Sequence, residues 1–319
     1  MIISASRRTD IPAFYSPWLL NRLRAGRVLV RNPFNFHQVS EIRLSPAVVE
    51  ALILWTKNPA PLLPHLDEIE AMGYPVLIHY TITACDRYVE PGLPDVSQRL
   101  AAFRVLSDMV GPDRVLWRFD PILLTQAQGI DHCLDRFTGL AGALEGLTHQ
   151  CSISFVSLYA KCRRNLTGVG LLNPDALMKK ELVMELAFLA KAHGMRLKAC
   201  CDEFLTDECG IDQAHCIDAA QLGGILGCNL QVRKDPGQRR GCGCSMSIDI
   251  GAYDSCAHGC RYCYANTSHQ AVARNIAAHD PDSPLLIGHL QGNETIRKRE
   301  MISLRVGQPS LFDSFPLKI

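Results

Sequence analysis

Short β-branched or apolar runs alternate with amphipathic stretches along most of the chain, and this alternation restricts the fold more than any other feature. The runs cover residues 2–5, 28–31, 51–56, 76–82, 115–119, 152–158, 197–200 and 248–251. Between them, stretches 62–72, 96–110, 130–144 and 174–193 carry apolar side chains at i, i+3 and i+4, the spacing of one helix face. Asn173 before Pro174 predicts a capping residue followed by a first helical turn. Strands that alternate with helices pair in parallel, and about eight such units without a long linker predict an α/β fold closed into a TIM-like (β/α) barrel. The expected barrel spans residues 1–280, with 281–319 as a C-terminal extension.

A chain of 319 residues is long enough for such a barrel, and its 33 Lys+Arg against 32 Asp+Glu leave a formal charge of +1. That balance excludes the globally basic character of proteins that capture nucleic acid by charge alone. A local bias remains, since the first sixty residues hold eight Arg/Lys against three Asp/Glu. The opening MIISASRRTDIP has too short an apolar run for a secretory leader, and no stretch approaches the ~18 apolar residues of a membrane span. The expected location is cytoplasmic, where 14 cysteines are better explained by metal or redox chemistry than by disulfides. Cys85, Cys133, Cys151 and Cys162 are scattered and read as small core residues, whereas ten cysteines fall between Cys200 and Cys263.

In a barrel, the residues just after each strand line the mouth of the active site. Here they are Ser6, Arg7, Arg8, Thr9 and Asp10; Asn32; Trp55, Thr56, Lys57 and Asn58; Thr83; Arg118 and Asp120; Ser157; and Asp202 with Glu203. The cations Arg7, Arg8, Lys57 and Arg118 suit an anionic ligand such as a carboxylate or phosphate.

The segment SIDIGAYDSCAHGCRYCYAN, residues 247–266, places Cys256, Cys260 and Cys263 at C-x3-C-x2-C spacing between a strand-like run and a helix-like one. A loop of this length can fold three thiolates onto one inorganic cluster, and three thiolates alone would leave one iron of a cubane open. A structural zinc site needs a fourth ligand, for which His258 or a distant cysteine could serve. His258, His79 and His37 are otherwise read as structural, hydrogen-bonded residues.

This loop resembles that of radical S-adenosylmethionine (SAM) enzymes, with Tyr262 in the aromatic position before the third cysteine, and its wording is closest to the spore photoproduct lyase-like branch. The whole chain resembles the DUF1848 family through Ser6-Arg7-Arg8-Thr9-Asp10-Ile11-Pro12, Trp55-Thr56-Lys57-Asn58 and the cysteine loop. The radical enzyme resemblance implies a 4Fe-4S cluster on Cys256, Cys260 and Cys263 and a SAM contact from Tyr262, mainly through its backbone. It also implies one-electron cleavage of SAM to a 5′-deoxyadenosyl radical that abstracts hydrogen from substrate, with flavodoxin or ferredoxin as reducing partner. Radical enzymes carry this loop after the first barrel strand, whereas here only 56 residues follow Cys263. A circular permutation reconciles the two: the strand ending near Gly251 would lie beside residues 2–5, bringing Arg7, Arg8 and Asp10 to the cofactor. The glycine-rich motif that holds the methionine moiety is not evident. Substrate remains open between an anionic small molecule and a nucleic-acid lesion. The alternative is a non-catalytic iron-sulfur or zinc protein with a structural or redox-sensing cysteine site.

Cys242 and Cys244 lie just before the loop, with Cys200, Cys201, Cys209, Cys216 and Cys228 upstream. They could hold an auxiliary cluster or a zinc ion, with Cys201, Cys216, Cys242 and Cys244 as the preferred ligands, supply a thiol for hydrogen-atom return, or remain as reduced thiols. Near the end of the chain, Gln308, Leu311 and Phe312 resemble the Gln-x-x-Leu-Phe peptide that docks into bacterial sliding clamps. The other reading of that segment is a tail packed back on the domain.

Overall fold

A computed structural model describes residues 1–239 and 241–306. Its strands are β1 (Ile2–Ala5), β2 (Arg27–Asn32), β3 (Asn35–Arg43), β4 (Ala51–Thr56), β5 (Val76–Thr81), β6 (Val115–Ile122), β7 (Gln150–Phe155), β8 (Arg196–Ala199), β9 (Asp212–Gln213), β10 (Ile248–Asp249) and β11 (Thr295–Lys298). Eight of these form one sheet in the order β10-β1-β4-β5-β6-β7-β8-β9, with every neighbouring pair parallel. The expected α/β class is therefore observed, and so is the pairing of the late strand with the first: Ile3 faces Ile248 and Ser4 faces Asp249.

Closure into a barrel is not shown. The two-residue strands β9 and β10 end the sheet, and no ladder joins them among the described residues. Run 28–31 also differs from expectation, because it belongs to a second sheet of order β11-β3-β2. β2 turns back through residues 33–34 into antiparallel β3, with Asn32 Oδ1 accepting from Phe34 N–H at 2.9 Å. A hairpin leaves no room for the crossover that parallel pairing requires.

The helices Val96–Val110 and Ile130–Leu144 fall where the periodicity puts them. The helix expected from Pro174 instead runs Ala176–Ala192, because Asp175 rather than Asn173 caps it by accepting from Met178 N–H. Segment 281–306 is woven into the body: the Trp18 indole donates to the Ser283 carbonyl at 2.9 Å, and β11 pairs with β3.

Alternate residues of the large sheet enter different cores, as the two-residue strand period requires. Ile3, Leu52, Ile78 and Trp117 pack with the helices, whereas Ile2, Ile53, Leu77 and Leu116 pack with Ile217, Leu222, Cys242 and Cys244. The face that barrel closure would have buried is thus covered by the cysteine-bearing segment between β9 and β10. Among the described residues no helix is long and apolar enough to cross a membrane.

Candidate functional site

Asp249, at the end of β10, ties the two ends of the chain together. It accepts from Ser4 Oγ at 2.8 Å, Ser6 Oγ at 2.7 Å and Arg7 N–H at 2.8 Å. Two residues on, a Cβ at Gly251 would lie 2.0 Å from Ser6 Oγ, so only glycine permits this approach. The cysteine loop therefore starts directly against the Ser6–Asp10 loop.

Asp10 is the second tie. One oxygen caps the helix Ile11–Phe14 by accepting from Ala13 N–H at 2.9 Å. The other accepts from Lys57 N–H at 2.7 Å and meets His258 Nε2 at 2.7 Å, with both side chains buried. Asp10, expected among the cofactor-binding residues, is thus occupied in holding the cysteine loop to the loops after β1 and β4. His258 is held there through Nε2, while its Nδ1 lies 3.5 Å from the Gly92 carbonyl. The loop also touches the β5 side, where Gly92 N–H donates to the His258 carbonyl at 2.9 Å.

Cys256, Cys260 and Cys263 line one cavity of about 360 Å³ together with Pro91, Asn165 and Asn266. Buried Asn266 Oδ1 has no hydrogen-bond partner. Burial pushes the Cys256 thiol up to about 12 and raises that of Cys260, while the ammonium of Lys57 beside Cys260 works in the opposite direction. Lys57 Nζ is 2.7 Å from Glu90 Oε1, whose side chain is 2% exposed, and lies 5.4 Å over the Tyr262 ring. The Tyr262 hydroxyl donates to the same Glu90 oxygen, and its carbonyl accepts from Cys162 Sγ at 3.1 Å. The Tyr262 ring is therefore anchored inward, and Lys57 is paired rather than free for substrate.

The cations that remain near the mouth are Arg7, Arg8 and Arg118. Arg7 lies 5.5 Å over Trp55, with its Nη2 buried and unpartnered, and 3.7 Å from Asp235. Arg8 lies 5.3 Å over Tyr253 and 3.8 Å from Asp249. Arg118 pairs with Asp120 and donates to Cys216 Sγ at 2.9 Å. Tyr264 spans from the cysteine loop to the Arg7 carbonyl at 2.7 Å. Asn32 belongs elsewhere, donating to Gln38 on the second sheet, and Asp202 caps the helix Glu203–Cys209.

Four of the isolated or upstream cysteines behave as the sequence suggests: Cys85, Cys133, Cys151 and Cys162 are buried. Cys201, Cys216, Cys242 and Cys244 do come together, and Cys200 joins them. Cys209 contacts the Lys180 carbonyl instead. Among the described residues, no three His, Cys, Asp or Glu side chains already converge as ligands of a single metal ion. A cubane places its thiolates on separate irons, so the three loop cysteines need not converge.

With this geometry in place, comparison with known proteins is informative in one respect. A family described as "Domain of unknown function (DUF1848)" matches over residues 2–265, from β1 through the last cysteine of the loop. The chain belongs to the DUF1848 family. No curated protein matches it. A solved structure, from work on inhibition of the pneumococcal virulence factor StrH and on N-glycan recognition and hydrolysis, is 12% identical with a TM-score of 0.26. That alignment covers 75% of this chain and 66% of the other and carries no argument about fold or function.

Within this DUF1848 chain, the residues missed by reading the sequence are those that support rather than present the cysteines. Asp249, Glu90 and Gly92 had no motif around them, and Cys200 was named only among the upstream cysteines. Asp249 could have been found from the expected pairing of its strand with β1, which puts an acid opposite Ser4. Glu90 carried no local signal.

Proposed function

We propose that the chain is an iron-sulfur enzyme of the radical SAM class, with Cys256, Cys260 and Cys263 holding a 4Fe-4S cluster. The carrying observation is that the three thiols of the C-x3-C-x2-C loop line one cavity, from which His258 is absent and which His269 borders from the helix His269–Ala277. Such a set suits a cubane with one open iron better than a closed four-ligand zinc site. The corresponding fold reading is a circularly permuted barrel, which the pairing of β10 with β1 supports.

Cys256, Cys260 and Cys263 would hold the cluster, which would supply the one-electron reduction of SAM. The chain's own residues do the positioning. Asp10 and Gly92 hold the loop, Lys57 places a cation beside Cys260, and Glu90 keeps both Lys57 and the Tyr262 ring in place. Arg7 and Arg8 offer guanidinium groups to an anionic substrate, either a small metabolite or a modified nucleic acid. Flavodoxin or ferredoxin is the class of electron donor required.

Anaerobic reconstitution with iron and sulfide should load about four irons per chain at this site, as a cubane requires. Their loss in Cys260→Ala is expected. Full iron content in that variant would defeat the ligand assignment.

A further inference from the structure

The clustered thiols on the other side of the mouth lie outside the loop just described. Cys200 Sγ is 3.9 Å from Cys201 Sγ and 3.8 Å from Cys216 Sγ. Cys201 and Cys216 pack in one buried cluster with Cys242 and Cys244, so the five thiols share one neighbourhood. They arrive from three directions: the end of β8, the stretch after β9, and the hairpin in which Lys234 bridges Ser245. Gly243 lets this hairpin pass over His215, because a Cβ there would lie 2.5 Å from the imidazole.

We infer that this cluster of thiols is a second metal site, which takes one zinc ion through four thiolates drawn from Cys200, Cys201, Cys216, Cys242 and Cys244. Spacing favours zinc over a second cluster. Tetrahedral zinc with Zn–S of about 2.3 Å separates its sulfurs by about 1.63 times that length, or about 3.8 Å. The two measured separations already have this value. A cubane instead puts each thiolate on a different iron and spreads them farther apart. The sulfurs are not yet gathered about one point, so binding requires them to turn inward.

Charge also fits. Four thiolates and one divalent ion leave two negative charges, and two guanidiniums face them: Arg118 on Cys216 and Arg239 on Cys201. The four thiol protons leave to solvent as the metal binds. The ion would pin the irregular segment that covers the open face of the sheet, where Cys242 and Cys244 pack against Ile2, Ile53 and Leu116. Structural zinc contributes folding energy directly in this way.

This site is independent of the iron loop, so the two can be tested separately. Anaerobically purified full-length protein, assayed by plasma mass spectrometry, should contain one zinc per chain. Cys242→Ser/Cys244→Ser should lose it while keeping the reconstituted iron, and Cys260→Ala should lose iron while keeping zinc. Cobalt(II) exchanged into wild-type protein should give the intense visible bands of tetrahedral thiolate coordination, a measurement that does not depend on a variant folding. Absence of zinc together with no cobalt bands would overturn the proposal, and about eight irons per reconstituted wild-type chain would replace it with a second cluster.

Discussion

Asp10 separates a structural role from a cofactor-binding one, and Asp10→Ala is the perturbation that reads the difference. The substitution removes a helix cap, worth about 1 kcal/mol. It also removes two further hydrogen bonds to a buried carboxylate, from Lys57 N–H and from His258, at about 1.5 kcal/mol each. The sum is about 4 kcal/mol, which at an m-value of about 3 kcal/mol/M lowers the urea midpoint by about 1 M. Asp10→Asn keeps an oxygen for the cap but turns an amide donor toward the Lys57 N–H, and should lose about half as much. Urea unfolding of the metal-free protein, followed by circular dichroism, measures both. A double-mutant cycle with His258→Ala should show coupling, because the pair is in direct contact. Asp10→Ala within about 0.3 M of wild type would refute the structural role and return Asp10 to the cofactor.

Three other perturbations follow from buried contacts. Lys57→Met leaves Glu90 buried with only Arg99, at 3.9 Å, to offset its charge, and should cost about 3 kcal/mol in urea unfolding. Lys57→Met/Glu90→Gln should recover most of that loss, and a double variant as unstable as the single one would contradict the pairing. Gly92→Ala places a Cβ 2.6 Å from the His258 carbonyl, so it should lower stability by about 1–3 kcal/mol and cut iron loading; normal iron content would show that the loop does not need this contact. For Glu50, burial acts to raise the carboxyl, but hydrogen bonds from Ser303, the Leu304 N–H and Arg305 outweigh it and hold the group below the usual carboxylate range. Its folded value lies below its unfolded one, so the stabilisation is present above the ordinary carboxylate value and is lost as pH falls through the folded value. Thermal midpoints from pH 7 to pH 3 should therefore fall less steeply in Glu50→Gln, and an unchanged acid slope would count against this linkage.

Most of the large sheet is legible in the sequence, because its strands are buried on both faces and read as continuous apolar runs. β3 and β11 are not, since their exposed polar residues, such as Asn35, His37 and Lys298, resemble loop. β9 is two residues long, too short for any periodicity, whereas β10, equally short, falls within the run 248–251. Barrel closure was inferred from strand number, which says nothing of what covers the inner face; here the segment between β9 and β10, with the short helix Ala219–Leu226, does so. The cysteine loop is legible because ligand spacing is local, and its neighbourhood with residues 6–10 follows from one correct strand pairing. Lys57 was misread as a substrate contact because its partner Glu90 is distant in sequence. Of the four cysteines named for a second site all do assemble, but Cys200 was left out because nothing adjacent distinguishes it from a core thiol. The Gln308, Leu311 and Phe312 motif lies outside the described residues.

Release of 5′-deoxyadenosine tests the proposed chemistry most directly. Reconstituted protein, reduced without oxygen in the presence of SAM and analysed by chromatography with mass detection, should produce it, and Cys260→Ala should not. A wild-type protein that holds a full cubane yet neither binds SAM nor releases 5′-deoxyadenosine would contradict the radical enzyme reading and leave the loop as an electron-transfer or structural site.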